Sequence, residues 1–324
     1  MNKLLFASLL SLVMSTSAIA NNPRVWMETN HGPIILELDV NNAPIATENF
    51  LAYVNEGFYD GLIFHRVIEE FMIQSGTADT EFQVREPNRG PIQGEPNNGL
   101  LNVPGKIAMA LSGNPPNRNS GRNQFYINTD TNSHLDADFT VFGEVIFGMD
   151  AVTSIERLKT WDEVGILSLR DIPMDFAVIQ RAAEVRNGDF PIMAQHTGSW
   201  FNHENTGVGF NFEVARNDET DGQARLVVYW YDFSADEQLW LIGNTTFEYG
   251  EAEVTLDLWT WDGMGEPSFQ QPPAGDNFYA EGTLTLRFDN CTTAHVAYQT
   301  DTFGSGEIPL SRITLPEGGV CEGM

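Results

Sequence analysis

The hydrophobic pattern of residues 24–38 predicts a β-hairpin. Residues 25–27 and 34–36 are apolar runs, and they flank Asn30-His31-Gly32. Glycine adopts positive φ at little cost, so this tripeptide suits a tight turn between two strands. We therefore expect a hairpin over residues 24–38.

A helix and several short strands are predicted next. Pro44 suits the first turn of a helix, Phe50, Tyr53 and Val54 follow at helical spacing, and Gly57 ends the pattern. Short apolar runs separated by loops rich in Gly, Pro and Asn then predict six strands: 64–68, 71–74, 106–111, 123–128, 140–146 and 176–180. A second helix is predicted over 149–158. Many short strands with two helices indicate a closed antiparallel barrel with helical caps.

The pattern changes near residue 187, where we place a linker over residues 187–193 between a first domain, 21–186, and a second, 194–324. Beyond the linker, apolar and polar residues alternate strictly, as in 254–258 and 284–288. This period of two indicates strands with one face in water. The second domain is expected to be all-β, either a sandwich or a barrel, and its Trp residues are expected to lie mostly in its core.

The amino terminus has the form of an export signal. Lys3 precedes an apolar run from Leu4 to Met14, and Ala18-Ile19-Ala20 provides a small-x-small cleavage site. The run is too short to span a bilayer. We expect a signal peptide over residues 1–20, cleavage after Ala20, and a periplasmic or secreted mature protein; a buried amino-terminal helix is the alternative and does not account for the Ala-x-Ala ending.

The chain has two cysteines, Cys291 and Cys321. In an exported protein such a pair is most simply a structural disulfide. A Cys-x-x-Cys redox motif is absent from the sequence, and a zinc site would need further ligands close by.

Charge narrows the possible partners. The chain has 45 Asp and Glu against 17 Lys and Arg, a formal net charge of −28. Such a charge repels phosphate backbones and anionic lipid surfaces, so nucleic acid is not expected as a partner. No other segment is long and apolar enough to predict a membrane span.

Residues 57–76, GFYDGLIFHRVIEEFMIQSG, closely resemble the signature of the cyclophilins, the peptidyl-prolyl cis-trans isomerases. Four further blocks follow in the family's order: Asn98-Gly99-Leu100, residues 105–110, residues 123–128, and Leu135-Asp136 with residues 139–143. The resemblance covers about residues 24–182. It implies an eight-stranded antiparallel barrel capped by two helices and an enzyme that rotates X-Pro peptide bonds in proline-containing, unfolded or extended polypeptides.

The resemblance also implies a set of site residues. Arg66 would stabilise the twisted amide and Gln74 would bind the substrate carbonyl or hold Arg66, so both are assigned to catalysis. The remaining positions are assigned to substrate binding: Phe71, Met72, Ala110, Leu111, Gln124, Tyr126, His134, Leu135 and Phe139. Strand alternation places Gln124 and Tyr126 on one face and Phe125 on the other, in the core. The reaction needs no nucleophile, metal or cofactor, and His65 is interpreted as structural.

Some positions depart from the commonest family pattern. Tyr126 replaces Phe and adds a hydroxyl to the pocket wall, Leu111 replaces a frequent Asn, and Phe139 replaces a frequent His. His134 stands where cyclosporin-sensitive members have Trp, so weak binding of that drug is expected. A binding or scaffold module for proline-containing segments, with incidental turnover, is the alternative function. The partner of the second domain is open.

Overall fold

The computed structural model describes residues 22–161, 170–205, 207–217, 222–234, 237–261 and 278–314. The predicted signal peptide and Cys321 lie outside these ranges. Within them, no helix is long and apolar enough to cross a membrane.

The first part of the chain forms one eight-stranded antiparallel sheet with two helices. The sheet order is β3-β4-β6-β5-β7-β2-β1-β8. The bounds are β1 (Arg24–Thr29), β2 (Gly32–Leu38), α1 (Pro44–Asn55), β3 (Arg66–Ile68), β4 (Met72–Ser75), β5 (Lys106–Met109), β6 (Phe125–Asn128), β7 (Val141–Phe147), α2 (Met149–Glu156) and β8 (Ile179–Glu184).

The two edges of this sheet meet just before β3 and β8. Phe64 donates its backbone N–H to the carbonyl of Ala177 at 2.9 Å, and Ile179 donates to Leu62 at 2.8 Å. The sheet therefore curls into the expected barrel. The predicted last strand, 176–180, overlaps β8 at its start: Ala177 and Ile179 bond the segment before β3, and the pairing with β1 continues along β8 to Glu184.

An aromatic cluster fills the barrel. Phe50 of α1 packs with ring centroids 5.2 Å from Tyr59, 5.3 Å from Phe125 and 5.2 Å from Phe142. All four side chains are fully buried or nearly so. Helix α1 begins where the carboxylate of Glu95 accepts the backbone N–H groups of Ile45 and Ala46, which satisfies two donors that a helix leaves unpaired.

The second part is a closed antiparallel barrel, which decides between the two expected all-β forms. Its strands are β9 (Gly198–Phe201), β10 (Gly209–Arg216), β11 (Gln223–Ser234), β12 (Glu237–Glu248), β13 (Glu253–Trp261), β14 (Phe278–Phe288), β15 (Thr293–Thr300) and β16 (Gly304–Arg312). Strand β9 closes the ring by pairing with both β10 and β16. Trp200, Trp230 and Phe288 fill the interior, whereas Trp240 is 62% exposed on the outer face.

Aromatic packing joins the two parts. Trp26 of β1 stacks on Tyr249 with centroids 5.5 Å apart, and Phe147 of β7 packs edge-on against Phe190 at 5.4 Å. The predicted linker, 187–193, runs between them, and its Phe190 is buried together with Ile192. This segment is thus part of a packed junction.

Candidate functional site

Strand register places four side chains of the site in one row. Arg66 of β3 pairs with Gln74 of β4, Gln74 pairs with Tyr126 of β6, and Tyr126 pairs with Ala108 of β5. Directly paired residues project to the same face of a sheet. Phe125 projects to the opposite face and is fully buried in the barrel core.

We call the small apolar cluster on this face the apolar pocket. Met72, Ala108, Tyr126 and Val141 form its buried floor. Its partly exposed walls are Ile68, Phe71, Leu100, Ala110, Leu135 and Phe139. The apolar pocket is separate from the larger core inside the barrel, and its wall residues are partly exposed.

Two rings define the pocket rim. His134 stacks against Phe71 with centroids 5.8 Å apart and ring planes 20° from parallel. Phe139 packs edge-on against Tyr126 at 5.9 Å. His134 and Leu135 belong to a single 3₁₀ turn, Ser133–Leu135. The structure thus brings these predicted residues to one rim.

Arg66 lies at the edge of the pocket. Its guanidinium carbon is 5.9 Å from the centroid of the Phe71 ring, and its side chain is 41% exposed. Its Nε donates to a carboxylate oxygen of Asp171 at 3.2 Å. Arg66 is therefore a half-exposed cation beside an apolar wall and is oriented by one acid.

Among the described residues, no side-chain hydrogen bond joins Gln74 to Arg66, although the two are paired across β3 and β4. The Nε2 of Gln74 donates to the Oε1 of Gln124 at 2.8 Å. The side-chain amide of Gln74 is therefore not seen to hold Arg66, which was one of the two roles expected for it. Gln74 instead positions Gln124, which borders a neighbouring groove.

That groove extends the site beyond the end of β5 and the start of β6. It has a volume of about 410 Å³ and is lined in part by Ala110, Leu111 and Gln124. The N–H of Ala110 is already donated to the carbonyl of Gln124 at 3.0 Å. Three of the predicted substrate-binding residues thus lie together in the groove, next to the apolar pocket.

The hydroxyl of Tyr126 does not line the pocket, contrary to expectation. It donates to the Oδ1 of Asn102 at 2.7 Å, and Asn102 is fully buried. Asn102 in turn donates to the carboxylate of Asp136. Burial, with the nearby Asp136 carboxylate, raises the pKa of Tyr126, so the hydroxyl stays protonated and the ring alone faces the pocket.

His65 is unsuited to proton transfer at neutral pH. Burial, with the adjacent Arg66 guanidinium, lowers the pKa of His65 to about 4. The ring is neutral and packed within the protein, which agrees with its interpretation as structural. In the described ranges, no group of three His, Cys, Asp or Glu residues is placed to hold a metal ion.

Two polar contributors were missed by the sequence reasoning. Asp171 and Asn102 lie in loops with no periodic pattern, far along the chain from the residues they bond. Asn102 follows the Asn98-Gly99-Leu100 block, and that block marked this part of the chain as belonging to the site. No signal marked Asp171.

Comparison with known proteins decides the family. The family model described as "Cyclophilin type peptidyl-prolyl cis-trans isomerase/CLD" matches residues 24–181. A peptidyl-prolyl cis-trans isomerase of Acinetobacter baylyi is 45% identical over 154 residues, which cover 46% of this chain and 79% of that protein. The chain belongs to the cyclophilin-type peptidyl-prolyl cis-trans isomerases.

Other peptidyl-prolyl cis-trans isomerases are also similar to this chain. Peptidyl-prolyl cis-trans isomerase A of Dickeya dadantii is 35% identical and matches along 100% of its length and 57% of this chain. Peptidyl-prolyl cis-trans isomerase B of Escherichia coli is 40% identical over 85% of its length and 42% of this chain. A crystal structure of a Cryptosporidium parvum cyclophilin aligns with a TM-score of 0.43 at 24% identity, covering 52% of this chain and 99% of that one.

Proposed function

We propose that this cyclophilin catalyses rotation about X-Pro bonds with Arg66 as the catalytic cation. Resonance stiffens the prolyl C–N bond and sets a barrier of about 20 kcal/mol. Twisting the bond localises a lone pair on the proline nitrogen. A donor at that nitrogen stabilises the twisted state more than the planar one, and such selective stabilisation is what catalysis requires.

Arg66 suits this role in position and chemistry. It lies beside Phe71 at the pocket edge, and a guanidinium keeps its charge and its planar set of donors at any physiological pH. The half-exposed setting allows a bound peptide to cover it, which would strengthen its interaction with the twisted amide.

The apolar pocket would hold the proline ring while the preceding peptide turns. Phe71, Met72, Leu135 and Phe139 offer apolar contact with the ring. Burying three methylene groups favours binding by about 0.8 kcal/mol for each CH₂. The ring is thus held in place and the bond beside it is left free to rotate.

The neighbouring groove would bind the extended chain on one side of the proline. Because the Ala110 N–H is already donated to Gln124, Ala110 would offer its carbonyl to the substrate backbone. Gln124, fixed by Gln74, would supply a side-chain amide. Leu111 would then bind the substrate through its backbone only, so the replacement of the frequent Asn by Leu would not prevent binding.

We also propose that the protein acts after export and assists folding of exported polypeptides. The amino-terminal pattern ending at Ala20 and the Cys291–Cys321 pair support this compartment. The second barrel would recruit clients or anchor the protein in the envelope. Amino-terminal sequencing of the mature protein should give Asn21 as its first residue, and a start at Met1 would contradict export.

The observation that carries the catalytic proposal is the position of Arg66 at the edge of an apolar pocket. The test is an isomerase assay on a proline peptide with wild type, Arg66→Ala and Arg225→Ala, the last being a matched charge deletion on the second barrel. Arg66→Ala should lower kcat/KM about 100-fold or more, and Arg225→Ala should leave it unchanged. Undetectable wild-type turnover with intact peptide binding would favour the binding module instead.

A further inference from the structure

Arg66 needs a hydrogen-bond partner that holds its guanidinium in one orientation if it is to act on a bound peptide. A free arginine side chain samples many rotamers, and that of Arg66 is 41% exposed. Gln74, the residue paired with it across the strands, gives its amide to Gln124. Among the described residues, the carboxylate of Asp171 is the polar group that holds Arg66.

The donor of Arg66 that Asp171 binds is different from the donors that a substrate would use. Asp171 accepts the Nε–H of Arg66 at 3.2 Å, which is the donor at the base of the guanidinium. A guanidinium has five N–H donors, and the four on the two terminal nitrogens are not used by this contact. The contact therefore fixes the plane of the group and leaves its outer edge for a substrate.

Asp171 is itself held firmly in place. Its backbone carbonyl accepts the N–H of Val67, the residue after Arg66, at 2.8 Å. The next residue, Ile172, accepts from Trp161 at 3.0 Å. The side chain of Asp171 is only 16% exposed, and Arg170 contacts its second oxygen at 3.4 Å. The loop thus fixes the carboxylate to the same strand that carries Arg66.

We propose that Asp171 is a positioning residue that orients Arg66 for isomerisation, an inference that rests on the catalytic role proposed for Arg66. Its negative charge opposes the positive potential that Arg66 offers to the proline nitrogen. The useful property of Asp171 is therefore its fixed acceptor, and an uncharged acceptor at the same place should serve as well.

Two substitutions separate the acceptor from the charge. Asp171→Asn keeps an acceptor and should retain kcat within about twofold. Asp171→Gly removes the acceptor and should lower kcat about tenfold or more with peptide affinity unchanged. Residue 171 has φ of 62°, a region that Asn and Gly both tolerate, so neither variant strains the loop. An equal loss of kcat in both variants, or none in either, would overturn the proposal.

A double-mutant cycle with Arg66 distinguishes positioning from a structural role. If Asp171 acts through Arg66, adding Asp171→Gly to Arg66→Ala should not lower turnover further. A further drop of the same size as in the wild-type background would overturn the proposal. Arg170→Ala is the matched control, because Arg170 contacts the same carboxylate but is 75% exposed. Its kcat should stay within twofold, and a loss equal to that of Asp171→Gly would also overturn the proposal.

The same measurements distinguish the two proposals. Full turnover by Arg66→Ala would refute the catalytic role of Arg66 itself. A collapse in Arg66→Ala together with normal turnover in Asp171→Gly would refute only the role of Asp171.

Discussion

Glu28 should make the stability of the protein fall as pH rises. It lies on β1 at the junction with the second barrel, where the side-chain amide of Gln195 donates to its Oε1 at 3.3 Å. Its Oε2 is buried and has no partner among the described residues. Burial outweighs the Gln195 hydrogen bond and raises the pKa of Glu28 from 4.5 to about 7.

The sign follows from the direction of this shift. Below pH 4.5 Glu28 is neutral in both the folded and the unfolded state, so it does not lower the free energy of unfolding. Between pH 4.5 and 7 the unfolded chain releases the proton while the folded protein keeps it, and stability falls with each pH unit. A rise of the pKa from 4.5 to about 7 corresponds to a loss of about 3 kcal/mol above pH 7.

The perturbation is Glu28→Gln, which removes the titration and keeps a similar shape. The free energy of unfolding, followed by tryptophan fluorescence in urea, should be higher in the variant at pH 8. This advantage should shrink by roughly 2–3 kcal/mol on going to pH 5. Glu48→Gln, at an exposed carboxylate on α1, is the matched control for a glutamate-to-glutamine change away from the junction. A Glu28→Gln advantage equal at pH 5 and pH 8 would contradict a raised pKa for Glu28 in the folded protein.

Three further substitutions test the site and the fold. Tyr126→Phe removes the bond to Asn102 and should cost about 1 kcal/mol of unfolding free energy while kcat stays within twofold; a large loss of kcat would show that the hydroxyl serves the substrate. Glu95→Ala removes the acceptor of two N–H groups at the start of α1 and should cost about 1 kcal/mol, measured by thermal unfolding, with an unchanged Tm contradicting the capping role. His134→Trp enlarges the ring beside Phe71 and should tighten cyclosporin binding about tenfold, or about 1.4 kcal/mol, in a fluorescence titration; an unchanged Kd would contradict the role of His134 in weak drug binding.

The alternation of residues along a strand was enough to predict which face of the sheet each side chain takes. The period of two fixes which face each side chain takes, so Gln124 and Tyr126 could be separated from Phe125 before any register was known. The residues of the apolar pocket were assigned from the family resemblance, because alternation alone does not bring the adjacent Phe71 and Met72 to one face. The first barrel and its two helices followed from these patterns and from the family resemblance.

Contacts between distant loops could not be predicted in this way. Asp171 meets Arg66 across 105 residues, and nothing in the local sequence specifies that pairing. The hydroxyl of Tyr126 was assigned to the pocket because alternation gives the direction of a side chain but not its hydrogen-bond partner. For the second domain, alternation identified strands with one wet face, but a sandwich and a barrel share that pattern. Closure depends on β9 pairing with β16, across more than a hundred residues.

The most direct test of the central claim compares rate with affinity at Arg66. Exchange spectroscopy on a saturating proline peptide gives the cis–trans rate on the enzyme, and a titration of the same peptide gives its Kd. Arg66→Ala should lower the on-enzyme rate about 100-fold and leave Kd within a few-fold of wild type. An unchanged rate, or a Kd that weakens as much as the rate falls, would contradict a cation that acts selectively on the twisted amide.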